Sequence, residues 1–584
     1  MRILSTLIIT LAFVLHSTLS VDDKFAQLSD DKKQELEQAF SRSDVLLVHE
    51  KLAQIRQKTM QLLQQEDTDS RLPQQRISNR ILAYKDTVFK RSAPTVRPIH
   101  QINRESNLSE FLYQADMVLT LPQAEQVGGG TGGSSTPTSR RRRQAYRDAY
   151  YPNTIWGSTV YYYFDRTATT AIKNAFLGAT RFWANNTCIS FEENTLSPNR
   201  IRVFKGQGCY SYVGRVGGQQ DLSLGTGCES VGTAAHELGH ALGFFHSQSR
   251  VDRDDNIRIV VANIQPDYVD QFDKETAATN YNYGMPYDYG SIMQYGATSA
   301  SNNGRPTMMA RDEAYQETMG SDIVAFYDVS MMNEHYDCKA RCLAANTQCQ
   351  NGGFPNPNNC DVCICPSGYG GTLCNERPDG CGETLTAGPS YALMTSLIGD
   401  GTTRTKVDFV KCTYWIQAPE NTKVQIRIDS YEGYSVDGCI YGGVEIKSHP
   451  DQLRTGYRFC SSSDIGTVLI SSSNLLPVIT FNRYGRSRIG LSYRYVGELV
   501  TSDVSVVQVT DPVPLVTNPP IPPPTPVITV QPPPIRTAPP PTTTTTRPMV
   551  RCVDFYYDCG IIAFFGYCRS PSVRMQCLRA CGVC

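Results

Sequence analysis

The chain has 584 residues, too many for one compact domain, so several domains are expected. Its 55 Lys and Arg residues nearly balance its 56 Asp and Glu residues, and the net charge of −1 excludes the strongly basic surface of a protein that binds nucleic acid or anionic membranes. All 20 cysteines lie at or after Cys188. This distribution predicts disulfide-stabilised domains in an oxidising compartment, preceded by a cysteine-free segment.

The amino terminus is typical of a secretory signal peptide. Arg2 precedes an apolar run from Ile3 to Leu15, and a short stretch with small residues follows at 17–20. We expect residues 1–20 to be removed and the chain to be secreted to the extracellular space. A membrane anchor is the alternative, but it needs a longer apolar run, and no later segment is long and apolar enough to span a bilayer.

Residues 21–143, here called the leader, are predicted to form a propeptide. Helical spacing predicts one apolar helix face built by Val48, Leu52, Ile55 and Leu62. A flexible linker rich in Gly, Ser and Thr follows at 128–139 and ends in four arginines, Arg140–Arg143. An exposed basic run suits a processing protease with an acidic cleft, so we expect cleavage after Arg143. A solvated charge run or a nucleic-acid patch is the alternative.

Residues 144–338 are predicted to form an α+β domain, called the central domain. Strands are expected at Thr159–Phe164 and at Ile201–Phe204, where β-branched and aromatic residues cluster. Helical spacing is present in Ile172, Phe176, Ala179 and Trp183. Asp221–Leu224 is expected to be an edge strand along a cleft, where an extended peptide could pair with it. The cleft is expected between a lobe that carries the sheet and a more irregular lobe.

A metal-binding pattern runs from His236 to His246. Ser230 can cap a helix that begins at about Val231, and residues four apart on that helix share a face. His236 and His240 can therefore chelate one metal ion. Gly243 permits a turn that brings His246 back as a third nitrogen ligand. Three imidazoles leave one position of zinc open, as catalytic sites require.

Glu237 follows the first of these histidines and suits general acid–base chemistry. Its carboxylate can take a proton from a zinc-activated water and pass it to a leaving amine. A chance His-Glu-x-x-His pattern on an amphipathic helix is the alternative. The longer pattern of three histidines, a glutamate and a glycine in register argues against chance, because the chain has only 8 histidines.

This stretch resembles the metzincin zinc endopeptidases. His246-Ser-Gln-Ser-Arg-Val-Asp-Arg-Asp254 and Ser291-Ile-Met-Gln-Tyr-Gly296 are similar to the astacin family. The resemblance implies one zinc ion per catalytic domain, a methionine turn at Met293, and a catalytic Tyr295. That tyrosine would bind zinc at rest and then swing away to stabilise the oxyanion. Where Ser247 stands, family members usually have a glutamate that contacts the mature amino terminus.

Phe111-Leu-Tyr-Gln-Ala-Asp116 resembles the family's propeptide switch, in which an aspartate binds zinc and displaces the catalytic water. Asp116 is therefore the expected zymogen switch, since a carboxylate is a competent zinc ligand. Ala115 stands where the family has glycine. Two sequences fit the N-glycosylation pattern, at Asn107 and Asn185.

Cysteines of the central domain allow three pairings from sequence alone. The resemblance implies Cys188–Cys338 and Cys209–Cys228. Residues 338–375 hold six closely spaced cysteines and resemble an EGF-like module, small enough to depend on its disulfides: Cys342, Cys360, Cys349, Cys363, Cys365 and Cys374. A zinc site is the rival interpretation of this cluster, which a secreted chain disfavours.

Three further segments follow. Residues 381–496 alternate β-branched and aromatic residues and resemble a β-sandwich CUB domain, with Cys381/Cys412 and Cys439/Cys460 as its two bridges. Residues 497–551 form a Pro/Thr-rich linker that cannot pack a core. Residues 552–584 resemble a small disulfide-rich, helical ShKT module, and that resemblance implies the pairs Cys552–Cys584, Cys559–Cys577 and Cys568–Cys581.

Together these features predict a multidomain, secreted zinc metalloendopeptidase made as a zymogen. Its partners would be extracellular protein substrates, such as matrix, cuticle or proprotein chains, and an activating protease that cuts at the arginine run. The rival of a different class is a catalytically silent binding or adhesion protein that acts through its CUB, EGF-like and ShKT modules. Glu237 and the three intact histidines argue against that rival. Another metzincin branch is a third hypothesis, which the Ser291–Gly296 turn disfavours.

Overall fold

The computed structural model describes residues 29–39, 42–69, 97–128, 145–146, 151–276 and 279–497. The predicted signal peptide, the Arg140–Arg143 run and residues 498–584, with the ShKT-like segment, lie outside this part of the chain. Within the described residues, no helix combines the length and the apolar composition that crossing a membrane requires.

The leader begins with two helices, α1 (Asp30–Ala39) and α2 (Arg42–Asp69). α2 buries Val48, Leu52 and Ile55, as its periodicity predicts. The prediction is wrong at Leu62, which is 48% exposed, whereas Leu63 is only 4% exposed. Steps of four residues from Ile55 lead to Leu63, so Leu62 turns away from the face that packs.

The rest of the described leader crosses the central domain. It forms α3 (Ile99–Glu105), β1 (Met117–Val118) and α4 (Leu121–Val127). Thr120 caps α4 in a capping box with Gln123. The side chain of each residue accepts a hydrogen bond from the backbone N–H of the other, so both N–H groups at the start of the helix are satisfied.

The central domain is built on a mixed six-stranded sheet in the order β1-β6-β7-β5-β3-β4. Its strands are β3 (Thr159–Phe164), β4 (Ser190–Glu193), β5 (Arg200–Phe204), β6 (Cys209–Tyr212) and β7 (Gln219–Leu224). The strand predictions at Thr159–Phe164 and Ile201–Phe204 are confirmed.

The expected edge strand at Asp221–Leu224 is wrong. β7 lies inside the sheet, between β5 and β6. β6 folds back antiparallel onto it, with Ser211 opposite Leu222, and so becomes the outer strand of the central domain. The leader strand β1 pairs parallel with that edge, through Met117 opposite Ser211.

Helices cover the sheet and carry the candidate site. They are α5 (Thr170–Asn186), α6 (Val231–Ala241) and α7 (Phe326–His335). α5 buries Ile172, Phe176, Ala179 and Trp183, which confirms the predicted helix. Three small antiparallel pairs complete the domain and the module after it: β2 (Ala145–Tyr146) with β9 (Asn280–Tyr281), β8 (Ile257–Ile259) with β10 (Met308–Ala310), and β11 (Phe354–Asn356) with β12 (Asn359–Ile364).

A two-sheet sandwich follows, as its alternating sequence predicts. The first sheet has the order β13-β15-β20-β17-β18, from β13 (Thr384–Thr386), β15 (Val410–Gln417), β17 (Gly442–Ile446), β18 (Tyr457–Phe459) and β20 (Leu475–Asn482). The second has the order β14-β21-β16-β19, from β14 (Ala392–Thr402), β16 (Lys423–Glu432), β19 (Val468–Ile470) and β21 (Gly485–Val496).

Candidate metal centre and active site

The start of α6 sets the spacing of two histidines. The Ser230 side chain accepts a hydrogen bond from the backbone N–H of Thr233 at 2.9 Å, and the helix begins at Val231 as predicted. One turn then separates His236 from His240, so both imidazoles project from one side.

The return of the third histidine depends on a glycine. Gly243 has φ +109°, a conformation that residues with a Cβ rarely adopt, and the chain reverses there after α6 ends. The turn brings the His246 ring to within 4.8 Å of the His240 ring, measured between centroids.

Three Nε2 atoms converge on one point. Those of His236 and His240 are 3.0 Å apart, and those of His236 and His246 are 3.3 Å apart. Nitrogens bound to a tetrahedral zinc ion at about 2.0–2.1 Å lie roughly 3.3 Å from each other, so the spacing fits zinc.

The opposite ring nitrogens are held by acceptors. Nδ1 of His236 lies 2.7 Å from the Ile292 carbonyl oxygen, and Nδ1 of His240 lies 2.7 Å from that of Phe244. Because a carbonyl oxygen can only accept, each Nδ1 carries the proton and each Nε2 keeps its lone pair for a metal. Burial lowers the pKa of His240, which also favours the neutral ligand form.

Glu237 points into the same buried region. It is fully buried, and neither of its carboxylate oxygens has a hydrogen-bond partner within the part of the chain that the structure describes. Burial raises the pKa of Glu237 well above its ordinary value, and the nearby negative charge of Asp116 raises it further. An orphaned buried carboxylate beside three histidines is suited to handling a proton from a bound water.

The leader places Asp116 over the histidines. Oδ2 of Asp116 lies 3.3 Å from Nε2 of His236 and 3.2 Å from Nε2 of His246, and Oδ1 lies 3.5 Å from Nε2 of His240. The four side chains form one group that could hold a metal ion. Gln114 adds a contact, since its side-chain oxygen lies 3.0 Å from Nδ1 of His246.

The turn before Asp116 is left-handed. Gln114 has φ +47° and Ala115 has φ +74°. Ala115 therefore adopts a conformation that glycine would enter at lower cost, and it does so fully buried.

Met293 and Tyr295 lie beneath and beside the histidines. Met293 is fully buried, and a Cβ added at Gly239 of α6 would lie 2.9 Å from its sulfur. The Tyr295 ring is 4.5 Å from the His246 ring. Its hydroxyl donates a hydrogen bond to the Gln114 carbonyl oxygen, so the leader holds this side chain.

Residues that dock the leader were missed by sequence reasoning. The buried Asn103 side chain donates to the carbonyl oxygens of Ala115 and Cys209 and accepts from the Cys209 N–H. The Tyr113 hydroxyl donates to Glu275 at 2.7 Å. Lone polar residues carry no periodic signal, so their role is revealed only by partners such as Cys209 and Glu275, which lie more than 100 residues away.

Further predicted residues are placed as follows. Disulfides join Cys188 to Cys338 and Cys209 to Cys228, and Asn107 and Asn185 are exposed. The other described bridges are Cys342–Cys360, Cys349–Cys363, Cys365–Cys374, Cys381–Cys412 and Cys439–Cys460. Ser247, in place of the family's glutamate, donates to the Ser291 hydroxyl, which donates to Asp328. Arg143 and the last six cysteines lie outside the described residues.

Comparison with known proteins also indicates a zinc peptidase. A family model described as Astacin (Peptidase family M12A) matches residues 148–337, and a CUB domain model matches residues 399–495. Zinc metalloproteinase nas-31 of Caenorhabditis elegans is 54% identical over 488 residues, which is 83% of this chain and 74% of that protein. Zinc metalloproteinase nas-32 of the same organism is 40% identical over 417 residues, 70% of this chain and 62% of its own length.

Among solved structures, high choriolytic enzyme 1, a hatching enzyme zinc-protease from Oryzias latipes, is 32% identical. The match covers 33% of this chain and 98% of that one, with a TM-score of 0.31. With three convergent histidines that fit zinc, and with relatives similar over most of its length, the chain belongs to the astacin family and is a zinc metalloendopeptidase with a CUB domain.

Proposed function

We propose that the chain is a secreted zymogen, and that removal of its leader releases an endopeptidase for extracellular proteins such as matrix, cuticle or proprotein chains. One observation carries this proposal: the carboxylate of Asp116 lies within 3.2–3.5 Å of the Nε2 atoms of all three histidines. A leader side chain thus occupies the position that a substrate or water needs. Cleavage after Arg143 would free that position.

Leader removal also frees backbone groups for substrate. β1 of the leader pairs with the outer strand β6, so it covers the edge that an extended peptide would use. An extended substrate can replace it there through main-chain hydrogen bonds, which makes the cleft tolerant of sequence.

In the released enzyme, Glu237 is proposed as the general base and then the general acid. Zinc, when bound, supplies Lewis-acid polarisation of the peptide carbonyl and makes water more acidic. Glu237 takes the proton of the attacking water and delivers it to the departing amine nitrogen. Tyr295, freed from Gln114, donates its hydroxyl proton in a hydrogen bond to the negative charge that develops on the carbonyl oxygen.

The test uses the full chain before and after cleavage at Arg140–Arg143, with a denatured protein as substrate. We expect hydrolysis by the cleaved form alone. Hydrolysis should disappear in the Glu237→Ala variant, which retains the three zinc ligands, and after treatment with a chelator. Zinc-loaded, cleaved wild-type protein that cuts no peptide bond would overturn the proposal and favour a binding protein.

A further inference from the structure

A cavity of about 730 Å³ opens directly beside the metal centre and reaches as far as the CUB domain. Its lining includes His236 and Tyr295 of the site, the leader segment around His100, and five residues of the CUB domain: Thr405, Val436, Asp437, Ile440 and Arg483. One wall of the cavity that His236 and Tyr295 also line is therefore supplied by a second domain.

The CUB loop of this wall is bonded to the chain just after Tyr295. The Asp437 carboxylate accepts hydrogen bonds from the backbone N–H of Thr298 at 2.8 Å and from its hydroxyl at 2.5 Å. Next to it, Gly438 has φ +67°, and a Cβ built there would lie 2.0 Å from the Gly320 carbonyl oxygen. So close an approach of two backbones fixes the loop against the cleft.

Other contacts hold the two domains together away from the loop. The backbone N–H of Cys460 donates to Glu317 at 3.0 Å, and that of Thr455 donates to Asp288 at 3.1 Å. Arg483 forms an ion pair with Asp322 of the central domain, and both line the cavity. The CUB wall is thus a fixed part of the cleft.

The leader supplies another part of the cavity wall. Arg97, His100 and Arg104 line the cavity, and His100 Nε2 accepts a hydrogen bond from the Ala300 N–H at 3.2 Å. When the leader departs, these residues leave and the cavity opens to substrate, whereas the CUB wall remains.

The remaining charges on the lining are mostly negative. Three carboxylates, from Glu229, Asp322 and Asp437, face one guanidinium, that of Arg483, which is already paired with Asp322. The leader presents two arginines to the same surface. Arg97 forms an ion pair with Glu105 of the leader itself, and Arg104 donates to Gln265. Once the leader is removed, three carboxylates and one guanidinium leave the lining net negative, which favours a basic occupant.

We propose that the CUB domain forms one wall of the substrate cleft and that, through Asp437, it makes the enzyme prefer a basic substrate side chain over an acidic one beside the scissile bond. This inference rests on the proposed release of the cleft by leader removal. It makes the CUB domain a determinant of specificity within the active-site cleft.

The experiment measures kcat/KM of the cleaved full-length enzyme on peptide pairs that differ only in Lys or Asp at each position flanking the scissile bond. We expect at least one position at which Lys is favoured. Asp437→Asn should lower the Lys-to-Asp ratio there about fivefold, since its amide can still accept from Thr298 but carries no charge. Val436→Lys, which adds a positive charge to the half-buried loop, should lower the ratio as well.

Asp429→Asn is the matched control, because Asp429 lies on β16 in the other sheet of the CUB domain and should leave the ratio unchanged. Zinc content and cleavage of a denatured protein are recorded for every variant. An active wild-type enzyme that shows no preference for Lys, or the same ratio in all variants, overturns the inference. Absence of any cleavage by the wild type would instead count against the proposed function.

Discussion

Oδ2 of the leader residue Asp116 lies 3.2 Å from Nε2 of the histidine His246. A carboxylate at this position would compete with water and substrate for a bound zinc ion, as the proposed zymogen requires. We therefore expect Asp116→Ala to give the uncleaved chain measurable peptidase activity. That activity should stay below that of the cleaved enzyme, because β1 still covers the sheet edge.

A fluorogenic peptide assay checks this expectation on a chain whose four arginines, Arg140–Arg143, are replaced to prevent cleavage. Asp30→Ala serves as the control, since Asp30 is a fully exposed leader carboxylate. If Asp116→Ala and Asp30→Ala remain equally inactive, backbone coverage and not the carboxylate maintains latency.

Replacing Ala115, the left-handed residue before Asp116, by glycine should stabilise the docked leader. Ala115 has φ +74°, where glycine avoids the clash of a Cβ with the following carbonyl. Ala115→Gly is expected to stabilise docking of the leader by about 1 kcal/mol, after the larger chain entropy of unfolded glycine is subtracted. The variant and the wild type, both with Arg140–Arg143 intact, are treated with a nonspecific protease, and the rate at which the leader is cut is measured. Slower cutting of the variant would support the gain in stability, and faster cutting would contradict it.

A buried glutamate that contacts the leader gives the stability of the uncleaved chain a pH dependence. Burial, together with the nearby negative charge of Asp273, raises the pKa of Glu275 from 4.5 to about 7. The hydrogen bonds donated by Thr279 and Tyr113 lower this pKa but do not cancel the rise. The folded chain therefore binds more protons than the unfolded chain between these pH values. Stability from this group falls as pH rises through that window, by a total on the order of 3 kcal/mol.

Glu275→Gln removes this titration while keeping an acceptor for Tyr113. Urea unfolding of the uncleaved chain should show the variant gaining stability relative to wild type as pH rises from 5 to 8, with little difference near pH 5. A difference that is constant across this range would mean that Glu275 does not titrate there.

Close packing of α6 on Met293 predicts that Gly239 tolerates no side chain. A Cβ at Gly239 would lie 2.9 Å from the Met293 sulfur, which is itself fully buried, so Gly239→Ala must displace the methionine. We expect a loss of about 1–3 kcal/mol and weaker zinc retention against a chelator. Gly157→Ala is the control, because nothing lies within 4 Å of its added Cβ. Equal stability of the two variants would show that the Met293 side chain can move aside at little cost in free energy.

Local features were readable from the sequence because they depend on neighbours along the chain. The Ser230 cap, the one-turn spacing of His236 and His240, and the buried positions of α5 follow from helical geometry. Gly243, which reverses the chain before His246, could also be recognised from the sequence, because few other residues adopt φ +109°.

Contacts between distant segments were decided by packing alone. The sequence predicted Asp221–Leu224 as a strand but did not show that Cys209–Tyr212 lies outside it. Helical spacing was used to place Leu62 on the packed face of α2, but the structure buries Leu63 there instead. The sequence by itself determined the zinc-binding pattern and the order of the peptidase and CUB domains, whereas the tertiary structure placed Asp437 against Thr298 across 139 residues. Such pairings depend on the shape and charge of both surfaces, which no local pattern encodes.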